Sequence, residues 1–196
     1  MKKKQLLWLA ALLFSVPSFG QLFNGKNLKG WHTIPGGKWE VKNRMIVGTS
    51  PASDERHGLL VTDKSYKNFI LSVDYKAVKG NSGLYFRVEE IQHIVGVMGF
   101  QAEIDNEKDA GGLYETMGRA WVVQPKPEDI VKWYKKDKWN HMEVTAIGGD
   151  ITVKVNGVVS AELKNDTGRT EGKVALQMHG GQDMEVYFKN VKLIEK

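Results

Sequence analysis

Apolar residues recur at every second position through most of this chain. Residues 69–79 set Phe69, Leu71, Val73 and Tyr75 against Ile70, Ser72, Asp74 and Lys76. Residues 82–90 set Leu84 and Phe86 against Gly83, Tyr85 and Arg87. Successive side chains of a strand point to opposite faces, so this alternation predicts strands with one face in a core. The same reading gives a strand pair around a turn at Lys42 to Arg44, with Trp39 and Val41 before it and Met45 and Val47 after. Gly148-Gly149-Asp150 and Asn156-Gly157 are two hairpin signals inside residues 139–163, because Asn-Gly suits the turn that matches strand twist. Residues 173–181 and 184–195 predict two closing strands. Ten or more short strands with little helix predict an all-β chain: a two-sheet β-sandwich or jelly roll, with a closed barrel as the alternative.

Two stretches break the pattern. Residues 118–140 form a long connection with Pro125, Pro127 and a short helix expected from Glu128 to Tyr134. Trp121, Trp133 and Tyr134 within it predict a loop folded over one end or face. The first twenty residues start MKKK and continue with an apolar run too short to span a bilayer, which predicts a cleaved secretory signal peptide over 1–20. Residues 21–196 then form a single exported domain, periplasmic or secreted, with no membrane contact after leader removal.

Composition narrows the chemistry. Setting aside Lys2, Lys3 and Lys4 leaves 25 of the 28 basic residues against 23 acidic ones, and no basic block stands out, so nucleic acid is not the expected partner. The chain has no cysteine, which excludes disulfides, thiol catalysis and thiolate metal sites. His32, His57, His93, His141 and His179 show no zinc-binding spacing, and neither a phosphate loop nor a nucleophile elbow is present.

Parity selects the candidate site. If Leu84 and Phe86 are core, Asn81, Gly83, Tyr85 and Arg87 share the opposite face. If Phe100, Ala102 and Ile104 are core, Gln101, Glu103 and Asp105 share it on another strand. If Val174, Leu176 and Met178 are core, Gln177 and His179 do so on a third. Amides with carboxylates, an Arg and a His suit a hydroxyl-rich ligand. The alternative is that the strands are not neighbours and these faces are simply wet. A divalent cation on Glu103 and Asp105 is left open, since hard cations take oxygen ligands.

Glu103-Ile104-Asp105-Asn106-Glu107 resembles the E-x-D-x-E strand of laminarinase-type endo-β-glucanases, which implies a nucleophile at Glu103 and an acid/base at Glu107. A second resemblance covers nearly the whole domain. LFNGKNLKGWH at 22–32, GLLVTDKSYKNF at 58–69, NSGLYFR at 81–87, GFQAEID at 99–105, GGLYE at 111–115, KWNHMEV at 138–144 and LQMHGG at 176–181 follow in the order seen in the 3-keto-disaccharide hydrolase family. That family is similar in fold to concanavalin A-like lectins and glucanases. Gln101 and Glu103 stand in exchanged order relative to its usual strand, which moves the carboxylate about 6.6 Å along the strand.

The resemblance implies cleavage of 3-keto glycosides. A ketone at carbon 3 acidifies the carbon-2 proton, and the enolate expels the group on carbon 1 before water adds. Glu103 or Asp105 is then the expected base, with His179 as an alternative base or as acid. Arg87 and Asn81 are expected donors to the enolate and hydroxyls, Gln101 and Gln177 orient hydroxyls, and Tyr114 and Trp121 stack on a sugar ring. An upstream sugar 3-dehydrogenase is implied as well. A carbohydrate-binding module without catalysis is the alternative function.

Overall fold

A computed structural model describes residues 20–105 and 107–196. Apart from Gly20, the expected leader lies outside the described residues. In chain order the strands are β1 (Gly20–Gln21), β2 (Trp31–Ile34), β3 (Lys38–Lys42), β4 (Met45–Ser50), β5 (Gly58–Tyr66), β6 (Phe69–Lys79), β7 (Ser82–Glu90), β8 (Val97–Ile104), β9 (Leu113–Thr116) and β10 (Ala120–Val123). After the helix α1 (Pro127–Ile130) come β11 (Asn140–Ile147), β12 (Asp150–Val155), β13 (Val158–Leu163), β14 (Gly172–Met178) and β15 (Met184–Glu195).

The strands form two antiparallel sheets packed face to face. One runs β13-β12-β11-β6-β15-β4-β3, with β1 added on β15; the other runs β10-β9-β8-β7-β14-β5-β2. The all-β sandwich expected from the alternation is the observed fold. Leu71, Val73, Phe86, Phe100, Leu176 and Phe188 are among the buried side chains between the sheets. Phe86 stacks on Phe100 with centroids 5.6 Å apart. Each such side chain, fully buried, stabilises the fold by about 1.5–3 kcal/mol.

The hairpin signals sit where they were expected. Asn156 and Gly157 join β12 to β13, both with positive φ (51° and 85°). Asn43 and Arg44 do the same between β3 and β4, also at positive φ. In the long connection the helix is shorter than expected. Pro127 starts it, consistent with proline at a first helical position, and α1 ends at Ile130. Beyond that, Lys132 N–H bonds the Asp129 carbonyl and Trp133 N–H the Ile130 carbonyl, so the chain tightens into turns through Trp133. The stretch also contributes β10, an edge strand that the alternation did not separate from the loop.

The two outer faces differ. In the first sheet β12 alternates buried and half-buried residues, as expected for a wet outer face. In the second, β8 is buried at almost every position and β14 from Val174 to Met178, so something covers both of their faces. His57, Val95 of the β7–β8 connection, and Asp109, Tyr114, Met117 and Trp121 lie over that face, where they help to line the cavity described next.

Candidate active site

Register places the polar residues in rows across the second sheet. Gln177 of β14 pairs with Gly83 of β7, which pairs with Glu103 of β8. One row further, Tyr85 pairs with Gln101, and Gln101 with Tyr114. The three strands expected to share a polar face are therefore adjacent, and Gln101, Glu103 and Gln177 point away from the core. They line a cavity of about 400 Å³ together with Asn81, Tyr114, Trp121 and His179. This volume lies within the range of small-molecule sites, about 300–1,000 Å³.

Glu103 sits at the cavity floor, only 6% exposed. Burial pushes its carboxyl up to about 8; the Asn81 hydrogen bond opposes this, and the nearby Asp105 and Asp109 carboxylates add to it. Asn81 Nδ2 donates to Glu103 Oε2 and to Asp105 Oδ2, each at 3.4 Å. One amide thus holds two carboxylates. They face different spaces, because Asp105 lines a neighbouring concavity with Glu107 rather than the cavity of Glu103. Glu107 is exposed, past the end of β8, with its backbone N–H bonded to Asp105 Oδ1. Among the described residues no group of three or more carboxylate or imidazole side chains converges as a metal site.

The glutamines do not project freely as hydroxyl ligands. Gln101 Nε2 donates to Gln177 Oε1 at 3.3 Å, and Gln177 Nε2 donates to His57 Nδ1 at 2.8 Å. This relay crosses β7 at Gly83, where a Cβ would lie 2.5 Å from Gln101 Nε2. Glycine there is a requirement of close approach.

His57 and His179 meet with ring centroids 4.4 Å apart. Residues 51–57 come this close because position 180 is glycine: a Cβ there would lie 2.2 Å from the Glu55 carbonyl oxygen. His179 Nδ1 is 2.6 Å from the Gly180 carbonyl, which can only accept, so the proton is on Nδ1 and Nε2 is the nitrogen open to a new proton. Burial, with smaller contributions from His179 and His93, pushes His57 down to about 4. Tyr114 and Trp121 meet edge to face at 5.2 Å and form an aromatic corner of the cavity.

Arg87 is not part of this site. The β7–β8 register shifts between Phe86 and Glu89, and Arg87 takes a positive φ of 51°. That bulge turns the side chain off the face that parity assigned to it. Its guanidinium is buried and donates to the Lys67 carbonyl through Nε and Nη2 and to the Arg169 carbonyl through Nη1. In the other direction, His57, Asp109 and Thr116 line the cavity without having been expected there. His57 had no usable signal, since its bond to Gln177 spans 120 residues. Thr116 and Tyr114 are two apart on β9, so parity along β9 would have found Thr116.

Similar folds occur among solved structures. A candidate glycosyl hydrolase from Parabacteroides distasonis is 23% identical, with 91% of this chain and 94% of that one covered at a TM-score of 0.67. The carbohydrate-binding module CBM66 from Bacillus subtilis is 19% identical over 85% of this chain and 96% of its own, at a TM-score of 0.65. A Bacillus subtilis protein of unknown function with a galectin-like fold is 13% identical over 91% and 100%, at 0.59. A search of curated proteins finds no match. The sequence matches the 3-keto-disaccharide hydrolase family, described as 3-keto-α-glucoside-1,2-lyase-like domains, over residues 18–194, and the chain belongs to that family.

Proposed function

We propose that this protein is an exported enzyme that cleaves 3-keto glycosides by removing the carbon-2 proton, eliminating the group on carbon 1 and hydrating the product. The observation that carries the reading is the pairing of Glu103, a buried carboxyl raised to about 8, with a histidine whose Nε2 is open, both lining one cavity. Members of a 3-keto-glycoside lyase-like family need such an acid and such a base.

The roles follow from protonation. At pH 7 a carboxyl at about 8 holds its proton, so Glu103 suits a general acid better than the base expected from sequence. His179 takes the carbon-2 proton on Nε2. The electron pair of that C–H bond moves to form the enolate at carbons 2 and 3. Its collapse restores the ketone, makes the carbon 1–carbon 2 double bond and breaks the bond to the leaving oxygen, which takes the proton from Glu103. Water then adds across the alkene. Asn81 holds Glu103 in place, and the Tyr114–Trp121 corner packs on a sugar ring. The ketone at carbon 3 requires a sugar 3-dehydrogenase acting before this enzyme.

A second reading, a sugar-binding module without turnover, is favoured only by the likeness in fold to CBM66. One experiment separates the two. The protein, freed of residues 1–20, is offered a 3-keto disaccharide, its unoxidised parent and a β-glucan, and released sugar is detected by mass. Cleavage of the keto sugar alone is expected, with a rate that falls as pH rises past about 8. Binding without cleavage would support the module. A rate that instead rises through pH 8 would return Glu103 to the role of base.

A further inference from the structure

With Arg87 buried against two carbonyls, the chemistry above lacks a donor for the oxygen on carbon 3, where the enolate charge develops. The relay through the sheet supplies one. Gln101 donates to Gln177, and Gln177 donates to His57 Nδ1. A ring nitrogen that accepts from an amide N–H carries no proton, so the His57 proton is on Nε2. Nε2 has no hydrogen-bond partner among the described residues, and His57 lines the same cavity as Glu103 and His179. The two touching histidines are therefore held in opposite tautomers. His57 presents an N–H through Nε2, and His179 presents a lone pair through Nε2.

We propose that His57 is a catalytic hydrogen-bond donor: an imidazole fixed with its proton on Nε2 that donates to the carbon-3 oxygen of the substrate as the enolate forms. Gln177 and Gln101 are positioning residues that act through His57. This rests on the 3-keto glycoside reading and names the group that stabilises its intermediate. A donor of this kind must not exchange its proton with the base beside it. His57 meets that condition because its burial and the neighbouring His179 and His93 hold it uncharged across the neutral range. Glu103 and Asp109 are the carboxyl groups that share the cavity. The proton removed from carbon 2 goes to His179, and His57 keeps its own throughout, so the enolate oxygen is stabilised without being protonated.

The test has a spectroscopic arm and a kinetic arm. In the protein labelled with ¹⁵N-histidine, two-bond ¹H–¹⁵N correlations should show His57 with its proton on Nε2 and no titration between pH 5.5 and 8. Gln177→Leu should remove that lock and give a mixture of tautomers, with the fold checked by its amide spectrum. On a 3-keto disaccharide, His57→Ala should lower kcat by about 10²–10³, as loss of one oxyanion donor does, with KM changed by less than about threefold. His57→Gln, which returns an N–H donor, should recover about tenfold of that loss. A wild-type protein that turns over no 3-keto glycoside overturns the function and the His57 role with it. Turnover by the wild type with His57→Ala equally fast, or with the His57 proton found on Nδ1, overturns the His57 assignment alone.

Discussion

Replacing Glu103 with glutamine removes a proton equilibrium from the folded protein, and the effect on stability can be worked from the carboxyl itself. In the unfolded chain Glu103 titrates near 4.5; in the folded protein burial and the Asp105 and Asp109 charges push it up to about 8. Between those values the folded state keeps a proton that the unfolded state has released. The folded state therefore binds more protons, and stability falls as pH rises through this window. The stabilisation is complete below about pH 4.5 and lost above about 8. The gap of about 3.5 pH units, at about 1.4 kcal/mol each, amounts to about 5 kcal/mol, of which about 4 falls between pH 5 and 9. Glu103→Gln keeps the shape and the bond from Asn81 but cannot ionise. Urea unfolding of both proteins at pH 5, 7 and 9 measures the difference. The wild type should lose about 4 kcal/mol more than Glu103→Gln across that range, a midpoint difference of about 2 M urea at an m value of about 2 kcal/mol/M. His57 adds a slope of the opposite sign at the acid end, but it is common to both proteins and cancels. Equal slopes in the two proteins would mean that Glu103 ionises in the folded state as it does in water, and the acid role proposed for it would fall.

Other substitutions separate structure from chemistry. Arg87→Met leaves the Lys67 and Arg169 carbonyls without their donors and should cost about 3 kcal/mol of stability in urea unfolding, with kcat per folded molecule unchanged; a lost kcat at full stability would put Arg87 back in the site. Gly83→Ala places a methyl group 2.5 Å from Gln101 Nε2, so kcat should fall about tenfold while Tm moves by only a few degrees. Trp121→Ala opens the aromatic corner and should raise KM for a 3-keto disaccharide about tenfold, ~1.4 kcal/mol of binding, with kcat little changed; an unchanged KM would remove Trp121 from the sugar contacts.

The fold and part of the site are legible in the sequence for specific physical reasons. Parity brought Gln101, Glu103 and Gln177 to one face because β8 and β14 run without a bulge through those residues. Parity failed at Arg87 for a local reason: the register slip and the positive φ follow from no side-chain pattern, and Arg is not a residue that signals a left-handed turn. His57 lies outside the strands, in the connection before β5, where alternation says nothing. Its place depends on how closely that connection passes over Gly180, which is a property of packing. Parity gives the faces of the glutamines correctly, but it says nothing of the bond that they make to each other across a glycine. The protonation of Glu103 is equally out of reach, since it depends on how deeply the folded chain buries the carboxyl.

The position of β14 has a consequence for how the protein is made. Within its sheet β14 lies between β7 and β5, two strands synthesised long before it. Until residues 172–178 emerge, β5 and β7 have an unfilled gap between them, with ladder groups unpaired on both sides. The relay that crosses this gap, from Gln101 through Gln177 to His57, cannot exist on a nascent chain lacking them. A slip of one residue as β14 inserts would also turn Gln177 into the core and Leu176 out of it. Turnover by the proposed mechanism thus reports on completed insertion: a chain with both sheets collapsed but β14 misplaced would look folded by its strand content and be silent in the assay.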